Sequence, residues 1–151
     1  MRRVFAGLAT VLALAVVAQF YFAATGAFDT APNDEAFAVH RSLGYGIMLF
    51  ALLITIVAAL ARMPGRLIGM SGLIAGLAVL QGLIRALADA FGDSGDTSTT
   101  TGQFVFGLHA VNALIIMTLA GTVARQARTR QGVGIAGETS EAAADPARRL
   151  S

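Results

Sequence analysis

Residues 39–66 read VHRSLGYGIMLFALLITIVAALARMPGR. After a polar opening at His40-Arg41-Ser42 the segment is almost wholly apolar as far as Ala61. A helix needs about 20 apolar residues to cross a hydrocarbon core, and 39–61 is long enough. It closes on Arg62-Met63-Pro64-Gly65-Arg66. So short a connection, read as a Pro-Gly turn between two arginines, forces the next apolar stretch back alongside as an antiparallel neighbour.

Working outward, segments 4–25, 67–90 and 104–124 meet the same length criterion. The expected fold is all-α: an integral-membrane, up-down-up-down four-helix bundle over residues 1–128. From about residue 131 the composition turns to Gly, Ala, Glu, Asp and Arg without apolar periodicity, so residues 129–151 are expected to be a disordered cytoplasmic tail. The connection 92–102, rich in Gly, Ser, Thr and Asp, is expected to be mobile. The start Met1-Arg2-Arg3 and the small residues 23–27 also fit a secretory signal. The apolar run exceeds the usual core of about 7–15 residues, so a retained helix is expected.

Composition agrees. Hydrophobic residues are 56% and charged ones 13%, against about half and about a quarter in soluble proteins, which makes lipid the expected solvent. The absence of Cys removes disulfides and thiolate metal sites. Nucleic acid is not an expected partner despite the net charge of +2, because the arginines sit at helix ends and in the tail. Arg2 and Arg3, Arg62 and Arg66, and Arg125, Arg128 and Arg130 fall on one side. Asp29, Asp34, Glu35, Asp93 and Asp96 fall on the other. The positive-inside bias then places both termini in the cytoplasm and the bundle in the cell (inner or plasma) membrane.

Ionisable and amide side chains inside spans are costly, which makes each a candidate functional group. They are Gln19, His40, Arg41, Gln81, Arg85, Asp89, His109 and Asn112, and they gather in the external third. A single His near a helix end commonly reaches headgroup water or a backbone carbonyl. Two His on the second and fourth helices, which are diagonal in an up-down bundle, can instead face each other and serve as the metal ligands of a haem b. Gly44 shares the side of His40 and would leave room for a ring, Asn112 shares the side of His109, and Arg41 and Arg85 could meet propionates. Arg85 could instead pair with Asp89 one turn away. Gln19 and Gln81, on the other diagonal, could donate to a quinone or a haem edge, although bonding between helices is the commoner use of such amides. Counted from the cytoplasmic arginines, His40 is 22 positions from Arg62 and His109 is 16 from Arg125, a mismatch of about 9 Å in height.

The segments His40-Arg41-Ser42-Leu43-Gly44-Tyr45 and Leu108-His109-Ala110-Val111-Asn112-Ala113-Leu114 resemble an uncharacterised bacterial family of small four-helix membrane proteins, over residues 1 to about 128. The layout is also similar to one half of a haem A synthase, which places a His on its second and fourth helices near the outer face, and to small b-type cytochromes. Glu35 stands farther from His40 than the acidic residue of that synthase stands from its His. The resemblance therefore implies haem binding more than haem oxidation, with electron transfer or haem handling as the role and a membrane redox partner or a second copy as the partner. The alternative is a cofactor-free accessory subunit that packs through its third helix, where Gly69, Gly72, Gly76 and Gly82 form a small-residue face.

Overall fold

The computed structural model describes residues 2–91 and 99–144, the side chains as far as Thr129. Five helices follow in order: α1 (Arg2–Ala27), the single-turn α2 (Asn33–Ala36), α3 (Ala38–Leu60), α4 (Gly65–Ala90) and α5 (Thr100–Ala144). Among the described residues there is no strand. The helices α1, α3, α4 and the 100–129 part of α5 are long and apolar enough to cross a membrane. Adjacent pairs are α1 with α3, α3 with α4, α4 with α5, and α5 with α1. That cycle leaves α1 opposite α4 and α3 opposite α5, the diagonals expected of an up-down bundle.

The ends of the helices are set locally. At the end of α3, the Arg62 N–H donates to the Ala59 carbonyl and the Met63 N–H to the Ala58 carbonyl, both at 3.0 Å. These are the paired bonds of a Schellman closure. Arg62 takes the left-handed backbone, φ 49°, that glycine usually supplies, and Met63 is buried beside it. Pro64 then caps α4 and Gly65 is its first helical residue. The chain thus turns at Arg62-Met63, one step before the expected Pro-Gly pair, and α4 begins two residues early.

The fourth span also begins early. The Thr99 hydroxyl accepts the Gly102 N–H at 3.0 Å and donates to the Phe91 carbonyl at 2.7 Å. This N-cap starts α5 at Thr100 and ties it to the end of α4. At the other end α5 passes Arg125 without a break. Ala124 and Ala127 are buried, and the Arg128 guanidinium donates to Thr10 Oγ1 on α1 at 2.9 and 3.1 Å. The arginine-bearing edge of the bundle on α5 is therefore Arg128, 19 positions from His109, which halves the expected height mismatch. The helical trace continues to Ala144, through a region whose composition led us to expect no regular structure. Residues 145–151, and residues 92–98 of the connection expected to be mobile, lie outside the described part.

The core runs down the axis. Phe5, Leu12, Ile54, Leu67, Ile74 and Val123 are its largest fully buried apolar side chains. The outward faces are equally apolar, with Leu14, Leu49 and Tyr21 more than half exposed, as befits helices whose solvent is lipid. Phe5→Ala opens a cavity where α1 meets its neighbours and should cost about 3–5 kcal/mol. Thermal unfolding in detergent should show a clearly lower midpoint, while Leu14→Ala, on the lipid face, should shift it far less.

Candidate functional site

The end of the bundle that holds the histidines is built around a two-way clasp between α1 and α3. The Gln19 side-chain amide donates to the His40 carbonyl at 2.7 Å. In return the His40 Nδ1–H donates to the Gln19 carbonyl at 3.1 Å. This assigns the tautomer from its partner: with Nδ1 protonated, the lone pair rests on Nε2, the nitrogen a metal would use. The Gln19 Nε2 stands 3.4 Å from that nitrogen. Gly44, expected to leave room for a cofactor ring, leaves it for this amide, since a Cβ there would come within 3.0 Å of Gln19 Nε2.

Phe37 explains how His40 is aimed. The loop after α1 closes over Gly26, where a Cβ would meet the Ala36 carbonyl at 2.8 Å and the Phe37 ring at 2.9 Å. Only glycine admits that approach. Phe37 then sets its edge against His40, the ring centroids 6.1 Å apart.

His109 projects from α5 across the diagonal. Its ring centroid lies 6.3 Å from that of His40, with the planes inclined at 50°. Phe106, one turn earlier, stacks on it at 5.2 Å and 11°. The His109 Nδ1 and the Gln19 Oε1 are buried without a hydrogen-bond partner. On the same helix Asn112 is buried and ties α5 to α4, donating to the Leu77 carbonyl and to Gln81 Oε1, both at 2.9 Å.

Six of the eight residues expected at the site, Gln19, His40, Gly44, Gln81, His109 and Asn112, therefore fall in one polar seam. Arg41 and Arg85 do not join it. Arg41 reaches out to α2, bonding the Asp34 and Asn33 carbonyls and approaching the Asp34 carboxylate at 3.5 Å. Arg85 takes the blander of its two options, pairing with Asp89 at 3.0 Å on its own helix. Glu35 lies exposed on α2. On α4, Gly72 packs against Thr55, with 3.6 Å from its missing Cβ to that methyl. Gly69, Gly76 and Gly82 look away from the bundle, where a Cβ would meet nothing within 4 Å. The residue the sequence reading missed is Phe37. The available signal was the shared spacing of Phe37-Ala38-Val39-His40 and Phe106-Gly107-Leu108-His109, which puts an aromatic ring one helical turn before each imidazole.

Residues 19–88 match the sequence model of DUF6220, a family of unknown function. The matched stretch holds Gln19, His40, Gly44, Gln81 and Arg85, and it stops short of His109 and Asn112. No curated protein and no solved structure matches the chain.

Asn112→Leu keeps the volume and removes both donors, taking from Gln81 Oε1 the partner it has across the helix pair while the Leu77 carbonyl keeps only the bond within its own helix. The expected loss is about 1–2 kcal/mol, read as a lower unfolding midpoint in detergent or bicelles.

Proposed function

We propose that this protein is a membrane haem b-binding bundle, with His40 and His109 as axial ligands near the external face, acting in electron transfer or haem handling. The observation that carries the reading is the facing pair of imidazoles 6.3 Å apart between centroids. One imidazole from each of two diagonal helices is the donor set that would hold a bis-histidine haem. The residues fit the group in two further respects. His40 has its Nδ1 tied to a carbonyl, the second-shell bond that orients most metal-bound histidines. His109 has a buried nitrogen with no other use.

A bound haem would supply one-electron chemistry at its iron. The chain's part is to hold the two imidazoles, stack Phe106 on one and keep water out. Arg41 and Arg85 stand at the outer end, where propionate contacts would compete with Asp34 and Asp89.

A second reading, a cofactor-free accessory subunit, draws support from α4. Gly69 and Gly76 have open space where a side chain would lie, so packing within this bundle does not require them to be glycine. A partner helix would.

Protein purified in detergent from haem-replete cells should show a low-spin b-type band in the reduced-minus-oxidised spectrum. The band should vanish in His40→Ala and in His109→Ala. A colourless preparation with haem in supply would leave the accessory reading standing.

The cell membrane, with both termini cytoplasmic, belongs to the same proposal and rests on the placement of the arginines. Because the chain has no Cys, single-cysteine labelling tests it directly. A membrane-impermeant maleimide applied from outside should modify Asp29→Cys and spare Arg62→Cys until the membrane is opened.

A further inference from the structure

The seam is assembled from two copies of one unit. On α3, Ile47, Ala51, Ile54 and Ala58 are buried; on α5, so are Ile116, Ala120, Val123 and Ala127. Each of these lies 69 positions after its counterpart, as His109 does after His40 and Phe106 after Phe37. On α1, Phe5, Ala9 and Leu12 are buried; on α4, so are Leu67, Ser71 and Ile74. These are 62 positions apart, and so are Gln19 and Gln81. The two hairpins, α1 with α3 and α4 with α5, run the same way. They are therefore related by a pseudo-two-fold axis along the bundle, the parallel kind of repeat found in membrane proteins, and His40 and His109 face each other across it.

Inside the site the two copies differ at two neighbouring positions. Where the first hairpin has Leu43-Gly44 the second has Asn112-Ala113. Asn112 holds the Gln81 amide through its Oε1. Leu43 can hold nothing, so Gln19 turns inward, into the notch that Gly44 provides and Ala113 lacks. Its Nε2 donates to the His40 carbonyl at 2.7 Å and stands 3.4 Å from His40 Nε2, and its Oε1 is left without a partner.

We infer that these two differences make Gln19 the one amide that faces whatever is bound between the histidines, a positioning residue at the His40 side, while Gln81 serves only to join α4 to α5. The ligand-facing role rests on the haem reading. The asymmetry between the two amides does not.

The test uses the full-length protein in detergent, labelled with 15N-histidine. Two imidazoles give two sets of ring signals, assigned with His40→Gln and His109→Gln. Gln19→Leu is expected to shift the His40 Nε2 signal and leave His109 in place, and Gln81→Leu is expected to leave His40 unmoved. Gly44→Ala should shift His40 as Gln19→Leu does; it guards against misfolding, since alanine already stands at the matching position 113. Exchanging the pairs, with Leu43→Asn and Gly44→Ala in one hairpin and Asn112→Leu and Ala113→Gly in the other, should transfer the sensitivity to Gln81 and His109.

Equal responses of the two rings to the two Gln substitutions, or an exchange that leaves Gln19 dominant, overturns the inference. Haem is then added to the same samples. If none binds, the haem reading falls and the ligand-facing role with it, while the ring signals still decide which amide enters the site. If haem binds, Gln19→Leu should shift the absorption bands and Gln81→Leu should not; the reverse result overturns the assignment.

Discussion

The reciprocal hydrogen bonds of Gln19 and His40 are the interaction on which the histidine end of this bundle depends. In hydrocarbon there is no water to satisfy a stray amide or imidazole, so each must find a partner on a neighbouring helix. Gln19 does this for α1 and α3, and Asn112 does it for α4 and α5. These ties fix the relative height of the helices at the level of the histidines, which apolar packing alone would leave free to slide. Further in, the bundle needs nothing of the kind, because Phe5, Leu12, Ile54, Leu67, Ile74 and Val123 fill the axis. The Arg128 bonds to Thr10 pin the opposite end.

The order of the spans and their diagonal pairing could be read from the sequence because apolar run length and connection length constrain them directly. The limits of α5 could not. Thr99 caps the helix through a side-chain hydrogen bond, which hydropathy does not register, and Arg128 belongs to the bundle because it reaches Thr10, a residue more than a hundred positions away. The same holds for the α3–α4 turn, where an arginine adopts the left-handed conformation although Pro-Gly stands two residues on.

Of the residue types that lipid makes expensive, Gln19, His40, Gln81, His109 and Asn112 converge. Their partners were not legible, because those depend on side-chain direction. Arg41 and Arg85 lie at suitable depths, yet each turns to a carboxylate within eight residues. Gly44 was correctly singled out as a place where a side chain is missing, but the space it opens is taken by the Gln19 amide. Phe37 went unnoticed because an aromatic in a connecting loop ordinarily carries no information, and its role follows only from the way the loop closes over Gly26.

The energetics of the seam bear differently on the two proposed readings. A scaffold that only packs has a use for His40, whose Nδ1–H completes the clasp with Gln19, but none for a buried His109 nitrogen without a partner. As it stands, the buried His109 Nδ1 and Gln19 Oε1 lack partners, and each such group costs about 1–3 kcal/mol. Under the haem reading, coordination would offset the cost at His109, which has an aromatic ring against it, while Gln19 Oε1, an acceptor, would still need a donor. Under that reading the second hairpin is as necessary as the first, although the DUF6220 match, residues 19–88, ends within α4 and before His109. One imidazole from each hairpin completes the pair.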